Sequence, residues 1–196
     1  MRIIALLPLL SLIAAPAIAQ TSPAPQQGLG GTAVAGVCLL SREAIFANAK
    51  VGVAATARLK QLTDQAQAEL DTERKPLEVE IQALQAEAAK LTPEQRRVRE
   101  AALAPRLTAI QARTQQRTRE IEATRGKAMA RIAETLQPLI AQVYKARNCG
   151  LLIDRTTVLG GNMANDLTPA AVAALDAKLA TITFERESLP AESMAR

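Results

Sequence analysis

"KLTPEQRRVRE", Lys90–Glu100, interrupts a stretch that otherwise reads as helix. A proline inside a helix removes a backbone hydrogen bond and clashes with the preceding turn, at a cost of about 3 kcal/mol. It also drives the residue before it away from helical dihedrals. At the start of a helix neither penalty applies, because the N–H that proline lacks has no partner in a first turn. Thr92 is a good N-cap, Pro93 falls at the first helical position, and Gln95 stands three residues after the cap, the spacing of a capping box. One helix therefore ends near Lys90 and a second begins at Thr92. Residues 47–147 are rich in Ala, Gln, Glu, Arg and Leu, which favour helix. Folded at a tip near residue 92, they make an antiparallel hairpin with arms of about 40–50 residues, each about 60–75 Å long.

The apolar residues of this zone are spaced for pairing. Leu59, Leu62, Ala66, Leu70, Leu77, Ile81, Leu84, Ala88 and Leu91 step by threes and fours with one doubled step, and Leu103, Leu107, Ile110, Ile121, Ala128, Ile132, Leu136, Leu139 and Val143 continue the pattern on the return. Narrow stripes of this kind fit coiled-coil pairing better than a broad globular face. Folding about Thr92 sets residue n opposite about 184 − n and brings Pro76 within a turn of Pro105. Each arm then carries a helix-weakening residue at a similar level. That arrangement predicts a bend or hinge there; the alternative is two tolerated surface kinks.

At the other end, Arg2 and the apolar run "IIALLPLLSLIAAPAIA" (3–19), closed by Ala17-Ile18-Ala19, follow the secretory signal pattern. Residues 1–19 are expected to be a signal peptide cleaved after Ala19, and the mature protein to be exported and soluble. A Pro/Gly-rich flexible segment (20–33) leads to a small body, 34–46 and 148–182. Within it "VAGVCLL" (Val34–Leu40), "CGLLID" (Cys149–Asp154) and "TTVLG" (Thr156–Gly160) read as short strands. "DLTPAAVAALDAKLA" (Asp166–Ala180) reads as a helix with Thr168 as N-cap and Pro169 at the first helical position. Residues 183–196 read as a loose tail. A body of about 50–60 residues is marginal unless cross-linked or shared between chains, so oligomerisation through it is expected. The fold class is mainly α with a small β body.

The composition excludes more than it suggests. There is no His and no Trp, so the commonest metal ligand and general base are missing. Two cysteines cannot build a zinc site by themselves, and Gly160-Gly161 lacks the lysine of a phosphate-binding loop. No cofactor, metal site or enzymatic activity is expected. Few aromatics and no groove-reading motif argue against nucleic acid. Cys38 and Cys149 flank the hairpin; in an oxidising compartment they either bond, closing a loop of about 110 residues worth about 4–5 kcal/mol in the chain-entropy model, or remain two buried small side chains. Between Lys90 and Arg131 eleven basic residues face four acidic ones. Such charge makes either a solvated helix face or an attractive surface for anionic polymers, membranes or acidic clients.

Taken in order, the first strand leading into "SREAIFANAK" (Ser41–Lys50), the long hairpin, "LLID" (Leu151–Asp154), Val158 and "DLT" (Asp166–Thr168) resemble the Skp (OmpH-like) family of periplasmic chaperones. The resemblance covers nearly the whole mature chain. It implies a jellyfish-like homotrimer, with strands joined in a central body and three coiled-coil hairpins hanging as tentacles around a cavity. It further implies ATP-independent binding of unfolded outer-membrane β-barrel proteins. On that reading Arg96, Arg97, Arg99, Arg106 and Arg113 are the expected contacts to acidic client segments, or to lipopolysaccharide and anionic membrane surfaces, and Pro76 and Pro105 form the arm hinge. The two cysteines and the paired prolines are not part of the family pattern. The competing reading is a coiled-coil spacer or assembly factor of the cell envelope that binds one folded partner.

Overall fold

The computed structural model describes residues 29–190. The expected signal peptide, most of the flexible lead-in and residues 191–196 lie outside the described residues. A four-residue strand, β1 (Val37–Leu40), is followed by α1 (Arg42–Asn48), α2 (Lys50–Glu87), a short 3₁₀ turn (Ala88–Lys90), α3 (Pro93–Ala146), β2 (Leu151–Asp154) and α4 (Thr168–Lys178). The two strands pair in parallel, Val37 opposite Leu151 and Leu40 opposite Asp154. Parallel neighbours need a long crossover, and here the crossover is the entire hairpin.

Gly36, at φ 75°, turns the chain into β1 and offers its carbonyl to the amides of Gly150 and Leu151 (2.7 and 2.9 Å), which fixes the register of the pair. Cys38 and Cys149 are bonded one step along, with Cα atoms 5.8 Å apart. The apolar side chains of β1 then enter one core with Ile45 of α1, Val51 and Ala55 of α2, Ile132, Leu136 and Ile140 of α3, and Leu167, Ala171 and Leu175 around α4. Polar groups stitch these layers. The Ser41 amide donates to Thr168 Oγ1 (2.9 Å), and the Lys50 amide, an orphan donor at the start of α2, donates to Asp176 Oδ1 (2.7 Å). Only Ala49, in extended conformation (φ −70°, ψ 142°), separates α1 from α2, so α2 leaves the body directly against the last turn of α1.

The tip follows the local rule. Thr92 Oγ1 accepts from the Gln95 amide and Gln95 Oε1 accepts from the Thr92 amide, a reciprocal capping box at the start of α3. From there α3 runs back along α2. Arg99 pairs with Glu87, Arg106 with Glu80, Arg113 with Glu73 and Arg117 with Glu69, so residue n lies opposite 186 − n. The offset from the expected 184 − n is two residues, less than one helical turn. Pro76 and Pro105 stay inside uninterrupted helices, as does Pro138.

Three expectations are corrected. The strand over Thr156–Gly160 does not form: the Asp154 carboxylate accepts from the backbone and hydroxyl of Thr156 (2.9 and 2.8 Å) and winds Arg155–Thr157 into a 3₁₀ turn. Thr168 is not an N-cap but the first residue of α4. Its hydroxyl accepts from Ser41 instead, while Asp166 Oδ1 accepts from the Thr168 amide (2.9 Å).

The tail, finally, is not loose as far as it is described. Ile182 and Phe184 pack against the core, and residues 183–189 continue along the arm as an extended strap held by both helices. Arg131 and Arg58 donate to the carbonyls of Thr183 and Phe184 (3.2 and 3.0 Å). Thr124 Oγ1 accepts from the Glu187 amide (2.8 Å), and Gln116 donates to Leu189 O (3.1 Å).

The strap covers Glu120, a carboxylate only 1% exposed. Burial disfavours its charge, but hydrogen bonds from Arg117 and Gln116, the Arg117 charge and the Leu189 backbone outweigh that and hold the carboxyl below the usual range. Arg186 of the strap is a further cation at 3.4 Å. A depressed folded-state pKa contributes stability above the unfolded value and loses it as pH falls through the folded value. Hydrogen-exchange protection of the strap amides should therefore persist at neutral pH and fall away below about pH 4. Protection unchanged into strong acid contradicts the role given to Glu120.

Candidate functional site: the distal arm

Near the body the seam between α2 and α3 is filled by Leu62, Ala66, Leu77, Ala128 and Ile132. From residue 78 to residue 119 no side chain is buried. The stripe residues continue there, but two helices alone cannot enclose a core, so the distal seam stays open. Ile81, Leu84, Ala88, Leu103, Ala104 and Leu107 line an apolar groove along one side of it, with Arg96 and Glu100 at its margin. Val79 and Val98 are also exposed, at 64% and 58%.

The opposite side of the seam is charged. Glu73, Glu80 and Glu87 recur every seven residues on α2, and Arg99, Arg106 and Arg113 every seven on α3. One residue per heptad presents the same helical face, so the two series meet rung by rung as a ladder of ion pairs. The Arg106 guanidinium, hydrogen-bonded to Glu80, pulls that carboxyl below its ordinary range against slight desolvation. Each rung is half-exposed and contributes little by itself in screened water; the repeat fixes the register of the arms.

The five arginines singled out from sequence thus have these positions. Arg99, Arg106 and Arg113 are rungs of the ladder. Arg97 pairs with Glu94 within its own helix (3.0 Å), and Arg96 donates to the Ala88 carbonyl across the tip (2.9 Å). Four basic residues of the returning arm, Arg99, Arg106, Arg113 and Arg117, are matched by acids on α2, which a count along one segment does not register. Pro76 lies between the rungs at Glu73 and Glu80, and Pro105 adjoins the rung at Arg106, so the ladder brackets the level at which both helices lack a backbone donor. Cys38 and Cys149 lie in the body, at the far end of the arm. Among the described residues, no cluster of His, Cys, Asp or Glu suits a metal ion, and no helix is long and apolar enough to cross a membrane. The distal arm presents adsorption chemistry: open apolar surface beside ordered charge.

The sequence model of the family described as "Outer membrane protein (OmpH-like)" matches residues 36–175, from β1 through most of α4. The chain belongs to the OmpH-like family. The crystal structure of a candidate OmpH-like outer membrane chaperone from Caulobacter crescentus CB15 is 41% identical, covers 83% of this chain and 96% of that one, and superposes with a TM-score of 0.71. No curated protein sequence matches. The family match takes in the body and hairpin of this OmpH-like chain but stops before the strap. The strap's sequence signal, the alternation of "TITFER" (Thr181–Arg186), was available and is that of a strand. Its position on the arm had no signal, since its partners lie more than 50 residues away.

Proposed function

We propose that this chain is an ATP-independent periplasmic holdase that binds unfolded outer-membrane β-barrel proteins and prevents their aggregation. The observation that carries this reading is the open apolar groove of the distal arm, set beside an ordered row of charge on a long projecting hairpin. Family membership supports a chaperone role, and the Caulobacter neighbour's description points the same way. Three such arms on a shared body would surround a cavity, and the exposed Leu151 on β2, 53% accessible, is available for burial between bodies. Many weak contacts of exposed apolar side chains hold a client without energy input. The guanidinium groups of Arg96, Arg97, Arg99, Arg106 and Arg113, still exposed beyond their pairs, attract acidic client segments and anionic lipid head groups through screened forces. The prolines at 76 and 105 let the arms flex to clients of different size.

The test is dilution of a urea-unfolded outer-membrane barrel into buffer containing the protein. Turbidity should be suppressed in proportion to chaperone, and capture should slow with rising salt. Changing Arg96 and Arg97, which hold no rung of the ladder, to Gln should slow capture about threefold while leaving helical content unchanged. Salt-independent capture, or equal rates for parent and variant, contradicts the electrostatic part. Unsuppressed turbidity contradicts the function.

A further inference from the structure

We propose that the proximal seam between α2 and α3 is a binding site for an extended polypeptide segment of alternating apolar and polar residues, and that residues 181–190 occupy it in cis. The inference rests on the holdase reading only for the identity of the competing ligand, a strand-forming segment of an unfolded barrel.

The strap is held both through its backbone and through ion pairs of its side chains, Arg58 with Glu185, Lys127 with Glu187, and Glu69 with Arg186. Arg131, Arg58 and Gln116 donate to the carbonyls of Thr183, Phe184 and Leu189, and Thr124 accepts from the Glu187 amide. Thr124 is free to accept because its own hydrogen goes to the Glu120 carbonyl (2.6 Å). Side-chain groups aimed at four main-chain atoms of a passing chain favour an extended conformation, while the inward Ile182 and Phe184 and the ion pairs select among sequences. Dimensions agree: the path from Arg131 to Gln116 on α3 rises about 22 Å, and the six steps of extended chain from residue 183 to residue 189 cover about 20 Å.

The side chains alternate as a strand's do. Ile182, Phe184 and Arg186 turn toward the arm, while Thr181, Thr183 and Glu185 turn outward; Glu185 is 84% exposed even while paired with Arg58. Period-two alternation of apolar and polar residues is the signature of transmembrane β-barrel strands, and the strap follows it over Thr181–Glu185 before the inward position passes to Arg186. The seam beneath it is built for such an occupant. Among the apolar residues that fill the seam the helices also bury Glu120 and Thr124, whose outward partners come from the strap: the Leu189 backbone and Arg186 at Glu120, and the Glu187 amide at Thr124. The strap lies beyond residues 36–175, the extent of the family match. A cis segment at high effective concentration that fills a site about nine-tenths of the time lowers the affinity of a competitor about tenfold. The strap would thus keep the seam covered until a client segment outcompetes it.

The test uses a chain ending at Ala180 and a fluorescent peptide of residues 181–190. The peptide should bind the truncated chain at least about tenfold more tightly than the full chain, following the same occupancy relation. A peptide with Ile182→Ser and Phe184→Ser should not bind, and an unfolded barrel should displace the parent peptide. In the full chain, Ile182→Ser with Phe184→Ser should raise barrel affinity. No binding of the peptide to the folded truncated chain overturns the proposal, as does a barrel that binds without displacing it. Loss of helical signal in both the truncated chain and the double variant also overturns it, because the strap is then an obligatory part of the fold. A barrel that binds neither chain, while the peptide still binds the truncated one, contradicts the holdase reading and leaves the seam as a peptide site.

Discussion

Gly52→Ala should lower the stability of the folded chain by about 3 kcal/mol or more, beyond the usual cost of overpacking. A Cβ built on Gly52 would stand 1.8 Å from the Phe46 carbonyl oxygen and 2.8 Å from its carbon. Those are backbone atoms in the last turn of α1, and they cannot swing aside. With Ala49 as the single residue between α1 and α2, the two helices have no slack to separate. Relief would require moving α2 out of the core that holds Val51 and Ala55. Gly126 on α3 supplies the control: a Cβ there meets nothing, so Gly126→Ala should stabilise the helix by about 0.5–1 kcal/mol. Urea denaturation of the two variants should therefore give shifts of opposite sign. Equal shifts, or a Gly52→Ala midpoint at or above that of the parent, would contradict the packing described at the α1–α2 junction.

Loss of the Cys38–Cys149 bond should cost about as much. The bond joins positions 111 residues apart, and in the chain-entropy model a loop of that length is worth about 4–5 kcal/mol. For a domain of this size that corresponds to a fall in Tm of about 10–15 °C. It clamps the two feet of the hairpin, next to the strand pair that is too short to hold them alone. The comparison is thermal melting of the oxidised protein against the same protein in reductant, alongside Cys38→Ala with Cys149→Ala, which leaves no buried hydroxyl behind. Reductant and variant should lower Tm alike. A Tm indifferent to reductant would mean that the two sulfurs act only as small buried side chains.

How far the sequence carried the account depended on whether each signal was local. The tip was legible because a capping box is decided within four residues, and Thr92, Pro93 and Gln95 permit little else. The arms were legible from the spacing of leucines. The ladder was missed although its heptad spacing lies in plain view: Glu73, Glu80 and Glu87 were counted as helix formers, and Arg99, Arg106 and Arg113 were counted as net charge. Only the fold about the tip makes the two series meet. The third strand failed because a single carboxylate, Asp154, offered the Thr156 backbone a nearer partner than a sheet edge. The strap was illegible in position because its contacts are long-range and made by side chains of both arms, which leaves no periodic trace in residues 183–190 beyond their own alternation. Glu120 looked like any acid on a helix; its burial follows from the strap and was hidden with it.

The function proposed above has three of these chains holding one unfolded client. It is tested most directly by light-scattering mass of the purified protein, alone and after dilution of a urea-unfolded outer-membrane barrel into it. The account predicts the mass of three chains alone and, with client, a soluble species heavier by one barrel. A monomer or dimer, with the barrel precipitating beside it, would contradict the account.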